Sequence, residues 1–446
     1  MKRSAWRYLW TAVDIRRKLL ITLLLLAIYR LAAHVPVPGA DREIIANLLA
    51  GGGAGSTLVG LLDMLSGGTV SQFSVLAMGV YPYITAQIIL QLLVPIIPAL
   101  QARMKEDPRE GQKWMEKWTY ILAVPMAALN AVGQINLISG LAGAQIIPNF
   151  NLFNASSALT SWTIVISMTA GTMFAIWLGE LISEYGVRNQ GLSMIIFAGI
   201  ISRIPSTIQA VLADEQNRLM GIILMVVFTL LVVFAIVFVQ QGRRNVPVMY
   251  PGRRVGSRMS MPVKGTLPLM VNMAGMIPII FAQSLLTFPA IVAGFFINSK
   301  TAWVSNLASE TSRIFGGSGD AYWIMYFFMV VGFTFFYTDV LFAQQNYGEN
   351  LKRVGAQIPG VSRGEPTQRY LTRVLRRITF PGAVFLGLVS ILPWIVGKIF
   401  PFGQSTGLLL VGSAGLLIVV GVVRDLFYNI DAELRLHGYD ENLLVR

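Results

Sequence analysis

Apolar runs separated by short, often basic stretches recur from one end of the chain to the other. A helix needs ~20 consecutive apolar residues to cross a bilayer. Runs of about that length fall at Leu19–Ala33, Phe73–Leu93, Trp118–Leu137, Trp162–Ile182, Leu192–Val211, Leu219–Val239, Leu267–Ala290, Tyr322–Leu341, Ile378–Ile399 and Gly407–Val423. The pattern predicts an all-α, polytopic membrane protein of about ten transmembrane helices, the first of them short. One apolar stretch breaks the rhythm. Ser56–Ser66 is too short to cross, and Gly51–Gly53 and Gly67–Gly68 flank it. Permissive backbone on both sides lets such a piece move as a unit, as a lid would, with Thr57, Leu58, Val59, Leu61, Leu62, Met64 and Leu65 as its body. Ordinary membrane packing or an interfacial loop fits the same residues.

Within the second run, Pro82 follows Gly79, and Val80, Ile84 and Ile88 recur at four-residue intervals. That spacing places branched apolar side chains on one helical face. In the seventh run Pro278 is predicted to remove a backbone donor in mid-span and bend the helix, with Asn272 about a turn earlier. A static kink and a moving gate fit these residues equally. Arg30, Glu180, Arg203, Asp339 and Arg424 lie toward predicted span ends, where long side chains reach the interface. A coupled secondary transporter usually places ionisable groups or unwound backbone near the midplane. Branched apolar residues stand there instead, which argues for a pore sealed by hydrophobic contact.

Charge sets the expected orientation, because basic residues collect on the cytoplasmic side. They cluster in residues 2–18, 103–117, 243–264 and 352–377, whereas the stretch from Ser139 to Ser161 has no charge. Both termini are therefore expected in the cytoplasm. The basic, aromatic start runs into the first span without a small-residue cleavage site, so that span reads as retained. The expected organisation is a 1–18 cytoplasmic segment, a 19–211 half with the short segment at 56–66, a 212–423 half with basic loops at 240–264 and 344–377, and a 424–446 tail. Five spans per half suggest an inverted repeat.

Composition closes off other classes. With 54% hydrophobic and 13% charged residues the chain is not an ordinary soluble protein. It has no cysteine and only two histidines, His34 and His437, so thiolate chemistry is excluded and a histidine metal site is not expected. No Walker A run supplies an internal motor. No cofactor is expected.

Two basic loops exceed the few residues typical of compact connections. In the first, Val246, Val248 and Tyr250 alternate before Pro251-Gly252, with Arg253-Arg254-Val255 after it, a pattern that predicts a projecting hairpin. Arg243, Arg244, Arg253, Arg254 and Arg258 make it a candidate docking surface for an acidic or nucleic-acid partner, with Lys352, Arg353 and Arg363 of the second loop. Topology or anionic lipid explains basic loops of this kind as well.

The run Ser74-Val-Leu-Ala-Met-Gly-Val-Tyr-Pro-Tyr-Ile-Thr-Ala-Gln-Ile-Ile-Leu-Gln-Leu-Leu93 closely resembles the second-span signature of the SecY/Sec61 family of protein-conducting channels. His34-Val-Pro-Val-Pro-Gly39, Ile195-Ile-Phe-Ala-Gly199, Leu267–Ser284 and Gly412-Ser-Ala-Gly-Leu-Leu-Ile418 extend the resemblance over nearly the whole chain. It implies the central channel subunit of a bacterial cell-membrane translocon, passing unfolded secretory chains outward, releasing apolar segments into lipid, and recognising signal sequences. The 56–66 segment would be its plug. Small SecE and SecG subunits, the SecA motor ATPase, the ribosome and membrane lipids are the implied partners, and the chain itself is not an enzyme.

Val80, Ile84, Leu192 and Ile196 are candidate pore-ring residues, aliphatic and paired four apart on their spans, while Ile280 and Ile418 join them by alignment to family motifs. Thr85, Gln91, Asn272 and Phe288 are the implied lateral gate between spans two and seven. The family usually shows Pro-Gly-aliphatic-Arg-Pro-Gly between spans eight and nine. Here Pro359-Gly360-Val361-Ser362-Arg363-Gly364 puts Ser362 in the arginine's place and Arg363 one residue along. A small-solute transporter and a membrane enzyme acting on lipid-linked substrates are the different-class alternatives.

Overall fold

The structure, a computed structural model, describes residues 13–41, 43–45, 47, 66, 68–148, 150–151, 157–188, 190–213, 218–251, 254–255, 258–259, 263–296, 301–315, 319–399 and 412–436. Helices occupy all or part of each of the ten apolar runs. These are α1 (Val13–Ala32), α2 (Tyr81–Ile96), α4 (Pro108–Ala142), α5 (Ala158–Tyr185), α6 (Gly191–Ala213), α7 (Arg218–Gln241), α8 (Ile277–Phe296), α10 (Asp320–Gln345), α12 (Glu365–Ile399) and α13 (Gly412–Leu436). Short helices α3 (Pro98–Glu106), α9 (Ala302–Phe315) and α11 (Tyr347–Arg353) lie between them. Five of the long helices are long and apolar enough to span unaided: α4, α5, α8, α10 and α12.

The second run departs from expectation. Residues 70–80 are turns, and helix starts only at Tyr81. Main-chain bonds from Val37 N to Phe73 O (3.0 Å) and from Val75 N to Val35 O (3.0 Å) hold the turns to the 35–37 strip. Pro82 lies in the first turn of α2, where its missing N–H has no helical partner to lose. With 16 residues, α2 rises ~24 Å, less than the ~30 Å hydrocarbon core. Irregular backbone is tolerated at such depth only inside protein. Val70, Phe73, Leu76, Ala77, Met78 and Val80 are accordingly all buried.

The chain divides into two compact units, the first drawn from residues 1–226, 284–323 and 393–446, the second from 227–283 and 324–392. In the first, the turn segment provides Val70, Phe73, Ala77 and Met78 to a core shared with Ala127, Ala131, Ile135 and Ile138 of α4, Ile164, Val165 and Met168 of α5, and Ala290 and Ile291 of α8. Asp107 caps α4 by accepting from the N–H groups of Arg109 (3.1 Å) and Glu110 (3.3 Å), and Gly143 ends it at φ +64. At 35 residues this helix is ~53 Å long and outruns the bilayer. Asp320 accepts from Lys398 Nζ (2.6 Å) and Trp394 Nε1 (3.1 Å), tying the ends of α10 and α12 that belong to this unit.

The second unit is built on a β-hairpin. Strands β1 (Arg243–Tyr250) and β4 (Val263–Met270) pair antiparallel from Arg243↔Met270 to Tyr250↔Val263, and β2 (Arg254–Val255) pairs with β3 (Arg258–Met259) between them. The residue pattern predicts a hairpin here, but the partner strand is 263–270 rather than the residues directly after Pro251. Val246 and Val248 alternate inward as predicted, onto Phe342, Leu351, Ile358, Leu371 and Leu375 from α10, α11, the 354–364 loop and α12. Pro278 also moves. Because β4 runs to Met270 and α8 begins at Ile277, Pro278 sits in the first turn and bends nothing, and Pro289 is the proline inside α8.

Candidate functional site

Of the expected lid, only Ser66 is described; Thr57, Leu58, Val59, Leu61, Leu62, Met64 and Leu65 lie outside the described residues. Ser66 is clamped. Its carbonyl accepts from Tyr29 Oη (2.9 Å) and Thr69 Oγ1 (3.1 Å). Gly79, at φ +52, lets this backbone in: a Cβ there would stand 2.5 Å from Ser66 O. A void of about 20 Å³, room for one water, adjoins Ser66 and is lined by Met78, Tyr81, Asn130, Gln134 and Ile291. Gln134 Oε1 is buried beside it without a hydrogen-bond partner among the described residues.

The ring candidates of the first unit occupy different settings. Val80 is the N-cap of α2, its carbonyl accepting from Ile84 N at 3.2 Å, so the pair spans the helix start rather than lying within it. Ile196 and Ile418 are buried and Ile84 half-buried. Leu192 packs against the cluster of Tyr83, Ala86, Ala123, Met126 and Ile176, lying over Gly179 of α5. Ile280, in the second unit, is buried in the first turn of α8.

The gate candidates separate in the same way. Thr85 is buried, and its hydroxyl turns back to Tyr81 O at 3.0 Å within its own helix. Gln91 Oε1 is buried without a hydrogen-bond partner among the described residues, and Phe288 is 44% exposed. One bond between α2 and α8 inside the first unit comes from a residue that is not among the gate candidates: Tyr81 Oη donates to the main-chain oxygen of Ser284 at 3.2 Å. A main-chain oxygen has two lone pairs, so Ser284 O can take the tyrosine hydroxyl as a second donor within its helix. Aromatic residues near a helix start carry no such signal in sequence. Asn272, of the second unit, bonds Gly275 O through Nδ2 (3.1 Å) and shapes the turn before α8.

The basic loops converge within the second unit. Met249 and Gln357 exchange main-chain bonds of 2.8 and 2.9 Å, joining β1 to the 354–364 loop. Arg363 Nε donates to Gln357 Oε1 at 3.2 Å, so the shifted arginine is held directly beside the hairpin. Arg243, Arg244, Lys352, Arg353 and Arg363 are all exposed. Arg254 and Arg258 lie in the β2–β3 register, Arg254 opposite Met259 and Val255 opposite Arg258, and Arg253 lies outside the described residues. Two loops that are far apart in sequence thus form one basic surface on a buried apolar base.

The sequence and the fold match known proteins along almost the full chain. The SecY family model matches residues 74–427. The chain belongs to the SecY family. The protein translocase subunit SecY of Streptomyces galbus is 36% identical over 438 residues, 96% of each chain, and that of Chlamydia trachomatis is 36% identical over 451 residues, 97% of this chain and 96% of the relative. Two solved structures share the fold, one described as the structure of a protein conducting channel and one concerning the plug domain of the SecY protein. Their TM-score is 0.63, with 17% and 18% identity, and they cover 94% of this chain and 93% of theirs. The family match begins at Ser74, within the buried turns that precede α2, so the signature, continuous in hydropathy, is a turn–helix junction rather than one helix.

Proposed function

We propose that this chain is the channel subunit of a bacterial protein translocase, conducting unfolded secretory polypeptides across the cell membrane and releasing apolar segments sideways into lipid. The observation that carries the reading is the junction at residues 66–96: a clamped end of a short apolar segment, buried turns, and a helix too short to span unaided. A rigid seat beside a short helix suits a plug that leaves and returns. Val80, Ile84, Leu192, Ile196, Ile280 and Ile418 are the aliphatic constriction, which blocks ions by dewetting yet yields to a polypeptide. Thr85, Gln91, Asn272 and Phe288 serve the lateral gate, and Tyr81 is added to them as its latch.

The basic surface of Arg243, Arg244, Arg253, Arg254, Arg258, Lys352, Arg353 and Arg363 meets the cytoplasmic driver, the SecA motor or a ribosome, and SecE- and SecG-like subunits complete the assembly. Both termini face the cytoplasm, and the two five-span halves are an inverted repeat. The experiment is reconstitution in vesicles with SecA, ATP and a secretory precursor. Protease-protected precursor that depends on the chain supports the reading. Gradient-driven uptake of a small solute, or conversion of a lipid-linked substrate without a motor, in place of precursor transport refutes it.

A further inference from the structure

A second arginine cluster stands apart from the docking surface. The first turns of α12 carry Arg369, Arg373, Arg376 and Arg377 around a cleft of about 870 Å³. Two of these arginines are already engaged: Glu365, which lines the cleft, holds Arg369 (2.6 Å), and Asp339 of α10 holds Arg376 through a forked contact (2.9 Å at the closest). Arg373 and Arg377 are exposed and have no carboxylate partner among the described residues. Four residues apart on a helix, they share a face. Two like charges side by side repel, and a shared anion relieves that repulsion.

The other wall of the cleft is apolar. Phe335 of α10 and Phe380 of α12 line it with ring centroids 6.5 Å apart, and Phe380 is 60% exposed. Beyond Phe380, α12 continues as the apolar run Pro381–Val396, broken by no charge. One cleft therefore offers two unneutralised guanidinium groups at the mouth of a membrane span and two aromatic rings on its membrane side.

We propose that this cleft is a binding site for an anionic glycerophospholipid, its phosphodiester between Arg373 and Arg377 and an acyl chain along Phe335 and Phe380. Arginine's planar fork suits a phosphate, and the flanking ion pairs with Glu365 and Asp339 hold the neighbouring arginines in place. A zwitterionic lipid fits less well, because its ammonium would lie among surplus positive charges. A free phosphate would leave the aromatic wall unused. Lipid binding here needs only that α10 and α12 span a membrane and is independent of what the chain conducts, so either reading can fail without the other.

The test uses the full chain in detergent micelles, titrated with phosphatidylglycerol or phosphatidylcholine and read by native mass spectrometry. Phosphatidylglycerol should bind at least tenfold more tightly. R373Q/R377Q should weaken it about 30-fold, from about fivefold per arginine, the usual attraction of one basic side chain to an anionic lipid surface. K113Q/K117Q, which removes equal charge from exposed positions of α4, should change it less than twofold. Phe380→Ala, at an exposed position, should weaken it threefold or more, and glycerol 3-phosphate should not compete. Equal losses in the two double variants, no preference between the lipids, or full competition by glycerol 3-phosphate would overturn the site. Loss of a co-purifying small membrane subunit from R373Q/R377Q with lipid binding unchanged would assign the cleft to a protein and overturn it too.

Discussion

The junction at residues 66–96 and the basic surface of the second unit handle polarity in opposite ways. At the junction, polar groups belong mostly to the main chain and are turned inward: Ser66 O takes two hydroxyls, Val37 pairs with Phe73, and Val75 with Val35. What it lacks is charge, with no Asp, Glu, Lys or Arg in residues 66–96. On the basic surface, Val246 and Val248 are buried so that Arg243, Arg244 and Arg363 stand exposed. A seal works by withholding charge and must be shaped by backbone contacts. A docking face works by displaying charge and tolerates looser geometry, provided its base is packed.

The sharpest way to break this contrast is at Gly79. Gly79→Ala meets Ser66 O at 2.5 Å and a left-handed φ of +52. Left-handed backbone costs a non-glycine residue roughly 1–2 kcal/mol and overpacking typically about 1–3 more. Thermal unfolding in detergent should fall accordingly, whereas Gly39→Ala, with nothing within 4 Å of the added methyl at φ +76, should show only the backbone share. Equal shifts would mean that the Ser66 contact does not matter.

Next is the seal. Ile84→Gly combined with Ile280→Gly should raise the ion conductance of vesicles at least tenfold, and deletion of Leu58–Leu65 should raise the resting leak. Conductance at the parent level in the paired variant would remove these residues from the constriction.

On the charged side, Arg363→Glu should lower SecA-stimulated transport about tenfold and Arg369→Glu less than threefold, with the assembled complex still present. The difference follows from placement: Arg363 is oriented by Gln357 beside the hairpin, while Arg369 is already engaged by Glu365. Equal effects would make the surface a diffuse charge and weaken the contrast with the junction.

The smallest expected effect is at the α2–α8 bond. A membrane hydrogen bond averages about 0.6 kcal/mol, so Tyr81→Phe should change gate opening only two- to threefold. The cysteine-free chain allows this to be read by the oxidation rate of a Thr85→Cys, Phe288→Cys pair, which bridges only if the α-carbons come within ~7 Å. An unchanged rate would leave Tyr81 a packing residue.

Much of this architecture is legible in the residues alone. Length and apolarity mark every long helix, because a span must bury all its backbone bonds within itself. Alternation at Val246 and Val248 marks the inward face of β1. The departures have a common cause. Residues 73–80 and 267–276 are apolar or nearly so, and hydropathy cannot distinguish a buried turn or strand from a helix when both are shielded by protein. Pro278 reads as a mid-span proline for that reason, although it opens α8.

By itself the sequence determined that the chain is a multi-span membrane protein of this family, with a hydrophobic interior and basic loops, since those properties are sums over local residues. Tertiary structure alone decided where α2 begins, which carbonyl Tyr81 meets, and that Arg363 stands beside a hairpin whose β1 lies more than a hundred residues away. Each of these depends on main-chain donors and acceptors finding partners that are distant in sequence, and a backbone amide looks the same in every residue until the fold chooses its partner.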